Sequence, residues 1–410
     1  MKGIREAILN KSLELKDEII ELRRHLHMNP ELSFEEYETA AFICDFLEKN
    51  NIKFRKGVTG TGIIGELSGI NKWERVVALR AEMDALPINE KNRTSYTSRF
   101  AGKMHACGHD SHMAMLLGTA KLLNSIRESF TGTVLLVFQP GEEQAPGGAK
   151  LMIESHEIAD PYPDIIIAQH VLPELETGKI GYKPGKYMAS SDEIYITLTG
   201  KGGHAALPAQ TTDQVYIASI LIIRLKDQIA REQTKVNIPT VLGFGRIKAD
   251  GATNVIPDTV EIAGTFRTFD EKWRSEAKTI IENISNDTAK EFNITIDVNI
   301  VQGYPVLINN EYLTEKAIEL SSNLLGKENV EILDLRMGSE DFAFFTERFP
   351  SLYFRTGIHK QGEDMKMLHT ANFDIDEDGL VAGIANLSWL TINFLKDDDL
   401  KKHLTNNLIS

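Results

Sequence analysis

Cysteine is scarce in this chain. Cys44 and Cys107 are the only two among 410 residues, too few for a disulfide scaffold. A thiolate that binds metal needs a reducing compartment, so the expected location is cytoplasmic. Long apolar runs are also missing. The densest, Ile217–Ile223, falls far short of the ~20 residues that cross a bilayer and reads as the core face of a helix. The opening stretch, MKGIREAILNKSLELKDEII, lacks the apolar centre of a secretory leader and reads as a charged amphipathic helix. Positive charge is in deficit: 45 Lys and Arg against 59 Asp and Glu leave a net charge of −14. That argues against nucleic acid or a membrane surface as the main partner. An anionic substrate would need local donors to overcome the overall field. Internal repeats and low-complexity segments are absent.

The composition is that of a globular protein, 42% hydrophobic and 25% charged. The chain exceeds the ~250–300 residues that one core sustains, so two domains are expected. Short apolar, β-branched segments at Val76–Leu79, Thr133–Phe138 and Ile165–Ala168 alternate with helical patterns near 35–49, 110–127 and 147–155. This spacing predicts an α/β fold with a mixed, mostly parallel sheet and flanking helices. After Lys183-Pro184-Gly185 the pattern changes. A strand at 193–199, a helix at 212–230, strands near 240–248 and 259–267, a helix at 271–290 and a strand at 293–301 follow. That β-α-β-β-α-β order predicts an inserted ferredoxin-like α+β module. The expected division is a catalytic domain of residues 1–185 and 301–410, with an inserted dimerisation or lid domain of residues 186–300.

The chemistry concentrates in Met104-His105-Ala106-Cys107-Gly108-His109-Asp110-Ser111-His112. Three histidines and a cysteine in nine residues favour metal, because imidazole and thiolate are the commonest zinc ligands. No second Cys-x-x-Cys arm exists, so further ligands must come from elsewhere in the chain. Pro140-Gly141-Glu142-Glu143 follows a predicted buried strand, where α/β folds place active sites. Alone, such a pair is usually a solvated acidic loop. Beside a metal, one carboxylate could ligate while the other works as a base. His170 follows the Ile165–Gln169 strand, and His369 lies in a loop before the last helix. Asp84, in Arg80-Ala81-Glu82-Met83-Asp84-Ala85-Leu86-Pro87, could orient a ligating histidine through its second ring nitrogen or be an ordinary turn residue.

These motifs, in order, resemble the co-catalytic metallopeptidase family of aminoacylases and glutamate carboxypeptidases. The Cys107-Gly108-His109 variant looks like its N-acyl-amino-acid amidohydrolase branch, which includes hippurate and indole-acetyl-amino-acid hydrolases. The resemblance runs from Arg24-His25-Leu26-His27-x-x-Pro30-Glu31-Leu32-Ser33 to Leu368-His369. It takes in Gly200-Lys201-Gly202-Gly203-His204, Thr253-Asn254-Val255-Ile256-Pro257 and Gly338-Ser339-Glu340-Asp341-Phe342. It implies two divalent metal ions (Zn²⁺, Mn²⁺, Ni²⁺ or Co²⁺) held by Cys107, His109, Glu143, His170 and His369, with Cys107 bridging. Glu142 would be the general base and Asp84 its support. His204, on the inserted module, would stabilise the oxyanion, often in a partner subunit. Asn254, Arg267 and Gly338 would meet the substrate, Asn254 and Arg267 by holding its α-carboxylate, which Arg267 can grip in a bidentate way. The implied substrate is a small N-acyl amino acid or short peptide, and the implied assembly is a homodimer or higher oligomer through the insertion.

Two positions depart from the family pattern: Glu82 replaces the usual aspartate, a conservative change, and Ala209 stands where histidine is common after Pro208. His25, His27, His105, His112, His156, His359 and His403 read as structural histidines, and Cys44, with Phe42 and Phe46, as inert core. The leading reading is a metal-dependent amidohydrolase, with a metallo-carboxypeptidase or dipeptidase as the close variant. A non-catalytic metal-binding or redox-sensing protein is the reading from another class. Glu142 argues against it, because a pure binding site has no use for a carboxylate beside the ligand Glu143.

Overall fold

The computed structural model describes residues 2–71, 75–397 and 399–400; His403 lies outside the described residues. The chain forms two compact units. One comprises Met1–Gly185, Ile308–Asp334 and Asp341–Ser410, the other Lys186–Leu307 and Leu335–Glu340.

The first unit is built on an eight-stranded sheet. At its centre Thr133–Gln139, Val76–Glu82, Ile165–Glu176 and Ser351–His359 run parallel, side by side. Every residue of Thr133–Gln139 is buried, as both faces of a parallel sheet require. Gly62–Ser68 pairs antiparallel with Thr133–Gln139, and the charged Lys53–Val58 forms the outer edge, where lysine discourages further pairing. The helix His109–Ser125 and the almost wholly buried Gly379–Leu395 cover the sheet. The amphipathic N-terminus is two helices, Lys2–Glu14 and Lys16–Met28, rather than one.

The second unit is a four-stranded antiparallel sheet in the order Thr240–Lys248, Thr259–Thr268, Asp192–Thr199, Thr295–Gln302. That is the strand order of a ferredoxin-like fold. Its two helices, Gln214–Val236 and Glu271–Phe292, are punctuated alike. Asp213 and Asp270 cap their N-termini by accepting from Tyr216 N and Trp273 N, and Asn237 and Asn293 close them in the left-handed conformation; both choices follow known cap preferences. The unit extends to Leu307, and Leu335–Glu340 joins it from the tail, through Ala189 N bonds to Arg336 O and Gly338 O. Ile217–Ile223 is not one core face. Ile217 and Leu221 are buried, but Ile223 is 59% exposed, because seven consecutive residues span about two turns and cannot share a side.

Candidate active site

The carboxyl ends of two central strands, a helix start and the interior of a third strand build the site in the first unit. Beyond Glu82 the chain turns to present Asp84; beyond Gln139 it turns to present Glu142 and Glu143. Gly108 (φ 87°) then begins the helix whose first residue is His109. A Cβ at Gly108 would lie 2.5 Å from Val171 Cγ2, so only glycine brings this helix start so close to the Ile165–Glu176 strand. That strand does not stop before His170; it runs through it to Glu176, with His170 opposite Arg355. His369, at φ 59°, is tied by its N–H to Ala106 O at 2.8 Å.

Cys107 Sγ is the hub. It lies 3.4 Å from His170 Nε2 and 3.3 Å from His369 Nε2. Two ligands of one tetrahedral zinc, bound at ~2.3 Å and ~2.1 Å, would be about 3.6 Å apart, close to these separations. Cys107 belongs to two trios whose donor atoms lie within 4.8 Å of one another: Cys107, His109, His170 and Cys107, Glu143, His369. His109, Glu142 and Glu143 form a third.

The ring orientations are those of ligands. His109 Nδ1 donates to Asp84 O at 2.8 Å, with Asp84 Oδ1 3.3 Å away. His170 Nδ1 donates to Val171 O at 2.7 Å. Each ring therefore turns Nε2 inward, the arrangement that oriented metal-binding imidazoles share. Among the described residues His109 Nε2 and Glu143 Oε1 are buried without hydrogen-bond partners, although His109 Nε2 is 3.9 Å from Glu142 Oε2 and His369 Nε2 is 3.4 Å from Glu143 Oε1. Buried polar atoms left open cost free energy, and a cation among them would satisfy them together. The donor set therefore fits divalent metal.

The acidic, buried surroundings set the protonation of these donors. Burial, then the charges of Glu143 and Glu142, push the Cys107 thiol well above its usual range. A bound cation reverses that and favours thiolate. Burial disfavours charge on His109, but Asp84 and Glu82 outweigh it and raise its pKa to about 10. Burial, then Arg355, holds His170 neutral. Asp84 is depressed despite its burial by His109, Ser33 and the Glu143 N–H. Glu142 is buried, and its Oε1 accepts from Asp341 N at 3.4 Å.

Glu82 is not a peripheral departure. It pairs with Arg80 and accepts from His112 Nδ1 at 2.9 Å, while His112 Nε2 accepts from Val171 N at 2.9 Å. His112 thus supports the strand carrying His170. His27 joins a separate buried cluster. Its Nδ1 lies 2.7 Å from Asp110 Oδ2 and its Nε2 3.2 Å from Glu90 Oε1. Arg23 bonds Asp110, Asp374 and Glu377 at 2.8, 3.1 and 3.3 Å.

In the second unit the expected substrate residues fall into two groups. His204 and Asn254 meet in a small ribbon: Gly203–His204 pairs with Val255–Ile256, and Ala205 N donates to Asn254 O at 3.0 Å. The ribbon leaves the sheet where Thr199 pairs with Thr259. Arg267 lies eight residues along the same strand, about 26 Å away at the usual rise. Arg267 and Asn254 are therefore not brought together within one chain. Arg267 Nη1 donates to Met337 O at 3.2 Å and Ser339 Oγ at 3.1 Å, and among the described residues no carboxylate pairs with it. Gly338 sits in the same turn. A Cβ there would meet only Met188 Cε, at 3.4 Å, so the glycine leaves room rather than relieves strain.

The sequence profile of peptidase family M20/M25/M40 matches residues 78–391. The chain is 35% identical over 393 residues to thermostable carboxypeptidase 2 of Saccharolobus solfataricus, covering 95% of this chain and 98% of that one. It is 35% identical over 389 residues to IAA-amino acid hydrolase ILR1-like 2 of Arabidopsis thaliana, covering 94% and 87%. Among solved structures, the Bacillus subtilis YXEP protein, described as a dinuclear metal binding peptidase from the M20 family, superposes with a TM-score of 0.81 at 31% identity, covering 93% of this chain and 99% of that one. No described helix is long and apolar enough to cross a membrane. The chain belongs to peptidase family M20/M25/M40 and is a metal-dependent hydrolase acting on amide bonds.

Proposed function

We propose that this enzyme cleaves N-acyl amino acids, acetyl or aryl-acyl, to a carboxylic acid and a free amino acid. The carrying observation is Cys107 shared by two donor trios beside a carboxylate, Glu142, that belongs to neither. Cys107, His109, Glu143, His170 and His369 would hold two divalent ions, zinc or manganese being the first to test, and Cys107 would bridge them. When bound, such ions polarise an amide carbonyl and acidify water. Glu142 takes the proton of the attacking water and delivers it to the leaving nitrogen. Its burial beside Asp341 N–H keeps the carboxylate aimed and shielded. Asp84 holds His109 in one tautomer.

Arg267 is a half-buried guanidinium with unused donors, suited to a free α-carboxylate, and Gly338 leaves room beside it. His204 and Asn254 extend from the opposite end of the sheet, which supports their serving a second subunit of a homodimer. There His204 would donate to the developing oxyanion. Carboxypeptidase or dipeptidase action uses the same groups, and the likeness to thermostable carboxypeptidase 2 favours keeping it as the second reading. A panel of N-acetyl and N-benzoyl amino acids alongside dipeptides separates the two. Chelation is expected to abolish turnover and divalent metal to restore it; full activity in metal-free protein contradicts the reading.

A further inference from the structure

The segment Pro30-Glu31-Leu32-Ser33 and the residues just after it supply no ligand and no base. Yet three of these side chains reach the loop that carries Glu142 and Glu143. Ser33 Oγ donates to Asp84 Oδ2 at 2.6 Å, and that same oxygen accepts from Glu143 N at 2.9 Å. Glu36 is fully buried. Its Oε1 accepts from Gly141 N at 2.8 Å and Phe34 N at 2.9 Å, and its Oε2 from Thr61 Oγ1 at 2.6 Å. Among the described residues no cation pairs with it. Phe34 adopts φ 65°, a conformation that bulky side chains avoid. Its ring lies against Gly141, where a Cβ would be 2.3 Å from Phe34 Cζ. Gly141 itself has φ 59°.

A strained aromatic and a buried carboxylate without a counter-ion both oppose folding. They converge on one residue, Gly141, directly before the two glutamates. We propose that Ser33, Phe34 and Glu36 form a clamp that positions the catalytic loop: Glu36 and Phe34 through Gly141, Ser33 through Asp84. None of the three touches the reacting atoms; they act through the loop. Burial lifts the Glu36 carboxyl above its ordinary range, as expected for a buried carboxyl without a counter-ion. The catalytic consequence rests on the amide-hydrolase reading, whereas the consequence for metal retention does not.

The test compares full-length wild type with Ser33→Ala, Glu36→Ala and Glu36→Gln, each loaded with Zn²⁺ or Mn²⁺. Two quantities are read: metal retained after a fixed chelator challenge, and kcat and KM on an N-acyl amino acid. Ser33→Ala and Glu36→Ala are expected to lose metal about tenfold more readily and to drop kcat about tenfold, with KM within about twofold of wild type. Glu36→Gln keeps an oxygen for the Gly141 and Phe34 amides and is expected to recover most of kcat. Wild-type retention and kcat in folded Ser33→Ala and Glu36→Ala would overturn the clamp. So would a Glu36→Gln variant as impaired as Glu36→Ala, because charge rather than geometry would then matter. Should Glu36→Ala fail to fold, Ser33→Ala decides alone by the same two readings. If wild type cleaves no amide, the hydrolase reading fails by itself. Chelator retention still judges the clamp: weaker retention in Ser33→Ala supports it, and equal retention overturns it.

Discussion

Two buried histidine clusters meet at consecutive residues. Asp110 faces one and His109 the other. Around Asp110 the charged groups are matched: Arg23 bonds three carboxylates, and both His27 nitrogens have acidic partners, while neighbouring His105 keeps both ring nitrogens buried without a hydrogen-bond partner among the described residues. Around His109 the second nitrogens are anchored to carbonyls, while the inward nitrogen and Glu143 Oε1 have no hydrogen-bond partner among the described residues. The residue types are alike, but the first cluster is closed and the second is open. A closed network of buried charge ties elements together, here the Lys16–Met28 helix, the start of His109–Ser125 and the loop after His369. An open one waits for a cation. Burial and charge do not separate structure from function here; unpaired atoms gathered around one thiol do.

Several substitutions bear on that contrast. The largest effect is expected from Glu142→Gln, which should lower kcat by about 10³-fold, within the range of general acid–base catalysis, while metal content and melting temperature hold. Steady-state kinetics with metal analysis checks this, and residual wild-type turnover would remove Glu142 from the mechanism. Arg23→Ala should break the closed cluster and cost about 3–5 kcal/mol, visible in denaturant unfolding, because buried Asp110 loses its guanidinium and Asp374 keeps only Lys366 as a cation among the described residues. A loss well under 1 kcal/mol would mean the cluster is not structural. Cys107→Ala should do the reverse: metal affinity falls about 10- to 100-fold or more, read by competition with a chelating dye, with metal-free stability little changed.

The smallest expected effect is in pH dependence. Asp110 and Asp374 are both depressed; burial opposes this, and Arg23 prevails. Their stabilisation is complete above the unfolded value near 3.8 and is lost as pH falls through the depressed values. His27 is raised, with burial and Arg23 opposed and Asp110 and Glu90 prevailing. Its contribution is complete below 6.5 and fades as pH rises through its folded value. Stability should therefore decline on the acid side below about pH 4 and gently above neutrality. His27→Gln should flatten chiefly the alkaline slope, as pH-resolved melting would report.

Much of this was legible in the chain. The strands at 76, 133 and 165 and the helix after Gly108 announce themselves by apolar runs and glycine punctuation. Cys107, His109, Glu142 and Glu143 stand in two compact motifs, so the open cluster could be anticipated. The closed cluster could not. Arg23 and Asp374 are 351 residues apart, and nothing local marks them as partners. His27 was readable only as a structural histidine, with no hint of what it joins. Ser33 and Glu36 matter through contacts with Asp84 and Gly141, which only the folded chain brings near. Glu82 looked like a conservative exchange, yet it organises His112. Asn254 and Arg267 suggested one carboxylate grip, and strand register parted them.

The most direct measurement is anomalous scattering from crystals of the full-length protein grown with zinc or manganese. Two peaks flanking Cys107 Sγ are expected, one toward His109 and His170 and the other toward Glu143 and His369. A single peak, or metal bound away from Cys107, would contradict the shared-thiolate site on which the functional reading stands.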